Sequence, residues 1–166
     1  MKLTARQTPC AIHLSGETGE ERYLLKRRAF HRELLLSDLK NGRLFYVGEK
    51  EQPHPWNREG EVLCTLTNME GKQELAACIR FEKEQLPAAP FRHGTLVLPL
   101  PNRTLYVKRT GEKTFCMEEN GRRTGEVDCG SYTRPGQAFG LEDGLVLAAL
   151  FGWCLWFQQA DCQITV

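Results

Sequence analysis

The sequence lacks the local motifs by which most enzymes and metal-binding domains are recognised. No GxSxG, HExxH, GxGxxG or EF-hand pattern occurs in its 166 residues. The segment Gly16–Arg22 has two residues between its glycines, whereas a phosphate-binding loop needs a longer spacing followed by Lys and Ser or Thr. The seven cysteines form no CxxC pair and no Cys/His cluster with zinc-ligand spacing. The sequence therefore predicts a non-enzymatic protein without a metal site or a cofactor.

A surplus of positive charge is missing as well. The 22 Lys and Arg residues stand against 21 Asp and Glu residues, which leaves a net charge of +1. Proteins that hold nucleic acid through its phosphates usually carry a clear basic excess, so DNA and RNA binding are disfavoured. The charge is uneven along the chain, since residues 1–50 hold ten Lys/Arg and six Asp/Glu, whereas residues 135–166 hold no Lys or Arg.

The first residues of the sequence do not predict a signal peptide. Residues 1–14 contain no apolar stretch of about 7 to 15 residues, which a signal peptide needs. An odd number of cysteines would leave one thiol unpaired in a secreted protein. We therefore expect a cytoplasmic protein with reduced thiols, located in the cytosol or peripherally at a membrane. Within it, we expect Cys64, Cys78 and Cys116 to be small buried apolar side chains.

What the sequence does contain is a long series of short alternating segments separated by turn residues. Val62, Cys64 and Leu66 alternate with their neighbours in the period of a strand, and Asn41-Gly42 is a strong hairpin signal. Such segments recur at roughly ten-residue spacing from about residue 10 to residue 134, which is typical of antiparallel sandwiches and barrels. The length and this pattern predict one domain, residues 1–166, with about 10–12 strands.

The C-terminal part of the chain has a different character. Residues 145–157 form a run of thirteen residues without a polar side chain, preceded by Glu142 and Asp143. Leu and Ala favour helix, and acidic residues in a first turn suit the helix dipole, so the sequence predicts a helix over residues 141–160. Thirteen residues cover only about 20 Å, short of the roughly 30 Å hydrocarbon core of a bilayer. We therefore expect no transmembrane span but a buried helix, surrounded by the sheet as a closed antiparallel β-barrel.

These parts together resemble the tubby C-terminal domain superfamily, which includes the LURP-one-related proteins and the phospholipid scramblases. The resemblance is carried by the terminal segment 137–163, by the early strand pair 23–47, and by the strand, glycine turn and strand of 63–81 and 105–127. It covers the chain from about residue 10 onward. The resemblance implies a many-stranded antiparallel barrel that encloses a hydrophobic C-terminal helix.

Tubby domains bind phosphoinositides through basic residues that project from early strands. The resemblance assigns this role to Lys26, Arg27, Arg28 and Arg32. Clustered Lys and Arg form charge-assisted hydrogen bonds with phosphates and favour an anionic membrane surface by roughly 1 kcal/mol per residue. The expected function is that of an intracellular binding or scaffold module, whose partner is an anionic lipid head group or an unidentified protein.

Other interpretations of the same residues stay open. Four basic residues around a hairpin, like Arg122-Arg123, are also typical of a solvated turn. The alternatives for function are a scramblase-like lipid-handling protein and an enzyme with a noncontiguous site. The chain lacks the Pro-rich tail, calcium-binding segment and acylation cluster of scramblases, and His54 and His93 stand beside no nucleophile motif. Trp153 and Trp156 share a helix face, where they either fill the core or line a hydrophobic pocket.

Overall fold

The computed structural model describes residues 1–28, 33–49, 61–81, 94–129, 136–139 and 143–162. Arg32, His54 and His93 lie outside these residues, so the predictions for them are not addressed. The described residues form twelve strands and one helix, α1 (Gly144–Cys162). The strands are β1 (Lys2–Gln7), β2 (Ile12–Ser15), β3 (Glu21–Arg27), β4 (Leu34–Asp38), β5 (Arg43–Glu49), β6 (Glu61–Asn68), β7 (Gln73–Phe81), β8 (Gly94–Leu100), β9 (Arg103–Arg109), β10 (Thr114–Glu119), β11 (Arg122–Asp128) and β12 (Gly136–Phe139).

The prediction of a closed antiparallel barrel of about 10–12 strands around residues 141–160 is wrong in how the sheet is completed. Strands β1 to β11 form one eleven-strand antiparallel sheet, and within the described part of the chain no residue pair joins its edge strands, β1 and β11. The short β12 lies between these two edges and pairs with both of them, with β1 at four positions and with β11 at two. Sequence patterns do not indicate this strand, because Gly136–Phe139 has no alternation of large apolar and polar residues.

The connections divide the sheet into two different ends. Short turns join β2 to β3, β4 to β5, β6 to β7, β8 to β9 and β10 to β11, and together they form what we call the turn end. The turns from β1 to β2 and from β9 to β10 lie at the opposite end, where β3, β5, β7 and β11 also end, and this is called here the loop end. The hairpin prediction at Asn41-Gly42 is confirmed, since β4 pairs with β5 and Gly42 has a φ of 65°. Asn120 and Gly121 both have positive φ, 51° and 73°, as a two-residue hairpin turn of type I′ requires.

The helix begins three residues later than predicted. The backbone N–H of Leu145 donates to the Asp143 carboxylate at 3.0 Å, and that of Leu147 donates to the Asp143 carbonyl at 3.2 Å. Asp143 is therefore the N-cap of α1 rather than part of its first turn. The favourable interaction between a carboxylate and the helix N-terminus is retained, although the residue sits one position outside the helix.

The apolar helix is covered by the inner face of the sheet. From Gly144 to Gln158 no residue of α1 is classed as exposed. Trp153 donates from Nε1 to the Thr65 carbonyl of β6 at 3.2 Å, and the Phe157 ring meets that of Phe115 of β10 edge-on at 5.4 Å. Contacts to strands so far apart in the sheet place the helix in its interior, which explains an apolar surface on every side. No helix among the described residues is long and apolar enough to cross a membrane.

Gly152 is a point in the middle of α1 where the helix packs closely against the sheet. A Cβ atom at this position would lie 2.9 Å from Cγ1 of Val47 on β5. Gly152→Ala gains about 1 kcal/mol in helix propensity, but overpacking a core costs about 1 to 3 kcal/mol. We expect a net loss of about 1 kcal/mol in the free energy of unfolding, measured by urea denaturation.

The matched background for this test is Val47→Ala, which removes the atom that obstructs the new methyl group. There Gly152→Ala should be neutral or stabilising, because only the helix propensity remains. A stabilised Gly152→Ala protein in the wild-type background would contradict the close packing of α1 against β5.

Candidate anion-binding site

The structure does not bring the predicted basic residues into a single cluster. Tyr23 and Leu25 of β3 are buried in the interior, so Lys26 projects from the outer face of the sheet. Arg27 pairs in register with Leu34, which packs against the core, and so belongs to the inner row at the rim of the loop end. Lys26 and Arg27 are consecutive in sequence and therefore lie on opposite faces of the sheet.

Arg28 follows β3 and returns to the outer face. Its Nη1 lies 3.2 Å from Oε2 of Glu33, and its guanidinium carbon lies 4.7 Å from the centre of the Tyr46 ring. Lys26 pairs with Leu35, and Leu35 pairs with Tyr46, so Lys26 and Tyr46 flank the same leucine. The aromatic ring fixes the plane of the guanidinium, which prepares its parallel N–H groups for a two-point contact with a phosphate or carboxylate.

Two further basic side chains on this face were missed by the sequence analysis. Arg6 of β1 pairs in register with His13 of β2, and His13 pairs with Leu24 of β3. Lys26 lies two positions beyond Leu24, so it is a diagonal neighbour of His13 on the same face. We call Arg6, His13, Lys26 and Arg28 the basic strip. The alternation of buried Leu3 and Ala5 was the available signal for β1, but the register that aligns the strip is not encoded locally.

Two carboxylates accompany the basic strip. Oε1 of Glu21 lies 2.9 Å from Nδ1 of His13 and 3.6 Å from Nη2 of Arg6, and Glu33 pairs with Arg28. The three permanent cations of the strip thus exceed its two carboxylates by one positive charge. The two glutamates are exposed, whereas Arg28 and His13 are half-buried. Ion pairs near the protein surface contribute only about 0 to 1 kcal/mol, so an incoming anion can displace either carboxylate at small cost.

A hydroxyl, an imidazole and a carboxylate lie next to one another in space, supplied by Thr8, His13 and Glu21. Oγ1 of Thr8 lies 3.4 Å from Nε2 of His13. The hydroxyl donates to the Ala11 carbonyl at 3.0 Å and accepts from the Ala11 N–H at 3.2 Å. Its proton is therefore engaged in a hydrogen bond within the turn between β1 and β2. Nδ1 of His13 is at ion-pair distance from Glu21, but the N–H direction misses the oxygen. This geometry braces β1, β2 and β3 and does not activate the hydroxyl as a nucleophile.

The remaining sequence candidates lie apart from the basic strip. Arg122 and Arg123 lie on β11 beside the turn end, and Arg123 pairs with Glu126 at 2.7 Å. The prediction for the cysteines is confirmed for Cys64, which is buried, but wrong for Cys78 and Cys116, which are only half-buried. The latter two occupy outward positions, because their strand neighbours face the core. Among the described residues, no group of three His, Cys, Asp or Glu side chains is arranged to hold a metal ion.

A buried cation at the loop end serves the fold. Arg109 lies in the inner row of β9, with its guanidinium carbon 5.6 Å from the centre of the Phe157 ring. It donates from Nε to the Gly111 carbonyl at 3.1 Å and from Nη2 to the Glu112 carbonyl at 2.6 Å. Burial of a charge is tolerated when its donors are satisfied in this way. Arg109 therefore joins the turn after β9 to the C-terminal part of α1.

Comparison with known protein families, curated proteins and solved structures finds no match for this chain. Membership of the tubby superfamily therefore stays a prediction from the sequence. The ability of the basic strip to bind an anion follows from its own geometry: its cations share one outer face, and Arg6 and Arg28 each lie within ion-pair distance of a carboxylate.

Proposed function

We propose that this protein is a non-enzymatic binding module of tubby-like type, and that it binds an anionic, phosphate-bearing head group at the basic strip. The observation that supports this most is the position of Lys26 and Arg28 on one outer face, with Arg28 stacked on Tyr46. Arg28 offers a planar donor pair, and Lys26 offers a flexible point charge with no partner assigned among the described residues. Such a pair suits a phosphate group better than a single cation does.

Binding requires an exchange of partners at Arg28. In the unbound protein its Nη1 contacts the Glu33 carboxylate, whose side chain is 43% exposed. A phosphate carries more negative charge than a carboxylate and presents more acceptor oxygens, so it competes favourably for the same donors. Glu33 then turns to solvent, and Lys26 supplies the second positive charge. Anions with less negative charge compete less well with Glu33 for the donors of Arg28.

The first test is co-sedimentation with phosphatidylcholine vesicles that contain a phosphoinositide. Lys26→Glu/Arg28→Glu should lower the apparent affinity at least about tenfold, because each basic residue near an anionic surface contributes about 1 kcal/mol and both charges are reversed. The matched control is Arg122→Glu/Arg123→Glu, which makes the same change in net charge beside the turn end.

The control variant should sediment like the wild type. If both double variants lose binding equally, attraction is a general charge effect and the basic strip is not the site. If the wild-type protein fails to sediment, or if the Lys26/Arg28 variant sediments like the wild type, the head-group function is wrong.

A further inference from the structure

None of the outward strand positions on the outer face of β3, β4 and β5 is acidic. Two carboxylates border this face: Glu33 lies over Gly48 and pairs with Arg28, and Glu20 pairs with Arg22. The outward positions form two cross-strand rows, one of Lys26, Leu35 and Tyr46 and one of Leu24, Ser37 and Leu44. The remaining outward positions of these three strands, at residues 22 and 48, are Arg and Gly. Asp38 belongs to the inner row and is buried, where it accepts hydrogen bonds from the 39–42 turn. We call these outward side chains, together with the 39–42 turn, the β3–β5 face.

Two leucines of this face are exposed. Leu44 on β5 is 40% exposed and Leu39 in the turn is 46% exposed. The backbone N–H of Leu39 donates to the Arg22 carbonyl at 2.9 Å, which ties the turn to the start of β3. Large apolar side chains grouped on one exposed surface mark contact with a membrane or a partner rather than with water.

Basic side chains lie at both ends of the apolar rows. Lys26 and Arg28 stand at the loop end, and Lys40 stands beside Leu39 at the turn end. On the sheet surface of β9 to β11, Lys108 pairs with Glu118 at 2.6 Å and Arg123 with Glu126 at 2.7 Å, whereas Lys26 and Lys40 have no ion pair among the described residues. Leucines framed by Lys26, Arg28 and Lys40 complement one kind of surface: an anionic layer of head groups above a hydrocarbon region.

We infer that the protein lies on an anionic bilayer with its β3–β5 face, with Leu39 and Leu44 inserted between the head groups while Lys26 and Arg28 hold a phosphate. This inference rests on the proposed head-group function and adds the source of the head group, a membrane lipid rather than a soluble phosphate. It also sets the orientation, with the strands parallel to the membrane plane. Insertion of the leucines raises the affinity of the protein for the membrane lipid above its affinity for the soluble head group.

The test compares two ligands and two variants. Binding to phosphatidylcholine vesicles containing a phosphoinositide is measured by co-sedimentation, and binding of inositol trisphosphate is measured by calorimetry. Leu39→Ser/Leu44→Thr should lower vesicle affinity about tenfold or more, since a fully buried leucine contributes about 1.5 to 3 kcal/mol. Its affinity for inositol trisphosphate should equal that of the wild type, and so should its thermal unfolding midpoint.

The control is Tyr106→Thr, which removes a side chain that is 41% exposed on the outer face of β9. It should bind vesicles like the wild type. Unchanged vesicle binding by the leucine variant overturns the orientation but leaves the head-group function intact, provided that Lys26→Glu/Arg28→Glu abolishes binding of inositol trisphosphate. A wild-type protein that binds neither ligand removes both proposals. A wild-type dimer that the leucine variant converts to a monomer would show that a second copy covers the β3–β5 face.

Discussion

Trp153→Ala is expected to lower the free energy of unfolding by about 3 to 5 kcal/mol, the usual cost of deleting a buried aromatic ring. Trp153 has no exposed surface, and its Nε1 donates to the Thr65 carbonyl across the interior. Alanine leaves a cavity between α1 and β6 and removes the hydrogen bond that fixes the position of α1 along β6. Guanidinium unfolding followed by far-ultraviolet circular dichroism measures the loss.

Trp156 provides the matched control for this prediction. It lies one helical turn further along α1 but is only half-buried. Trp156→Ala should therefore cost well under half as much as Trp153→Ala, because less apolar surface leaves the interior. Equal costs for the two variants would contradict the deeper burial of Trp153.

Alkaline conditions are expected to destabilise the protein steeply. Burial raises the pKa of the Cys154 thiol well above its usual value, and the neighbouring thiols of Cys129 and Cys64 raise it further. Burial, and then the charge of Asp128, also raise the pKa of Cys129. The folded protein therefore keeps protons that unfolded thiols release above about pH 8.5. Stability is full below that pH and falls by about 1.4 kcal/mol per pH unit for each such thiol as the pH rises toward the folded pKa.

The measurement is the denaturation midpoint from pH 7 to pH 10 in the presence of a reducing agent. Cys154→Ala should make the decline above about pH 9 shallower, and Cys129→Ala should do so to a smaller extent, since Cys129 keeps some exposed surface. Tyr23 adds to the decline only above about pH 10, because burial and then the charge of Asp38 raise its pKa. A midpoint in Cys154→Ala that depends on pH as in the wild type would contradict this account.

The helix and the long hairpins were predictable because their signals are local. A run of thirteen apolar residues rich in Leu and Ala indicates a buried helix from its composition alone. Glycine at the turns provides the positive φ that Gly42 and Gly121 adopt. Strands β1 and β2 precede or barely enter the region where alternation was recognised, and β12 has no alternation at all. The completion of the sheet depends on β12, which is specified by its partners rather than by its own residues.

The candidate site was predictable only in part, for a reason of geometry. Lys26, Arg27 and Arg28 were found because they are consecutive, yet consecutive strand residues face opposite sides. Arg6 and His13 join Lys26 through the register of β1, β2 and β3, which depends on which side chains the interior accepts. The pairing of Arg28 with Glu33 and Tyr46 is likewise a tertiary feature, and no spacing in the sequence specifies it.

The helix α1 follows all twelve strands in the sequence, and this order has a consequence for biosynthesis. The ribosome produces all twelve strands before the residues that fill the space between them, so Leu36, Leu66 and Leu98 emerge without the helix that later covers them. Neighbouring hairpins can pair as they appear, since their contacts are local. The interior is completed only when α1 has left the exit tunnel. Until then the nascent chain exposes the apolar inner faces of its strands, which makes it prone to aggregation.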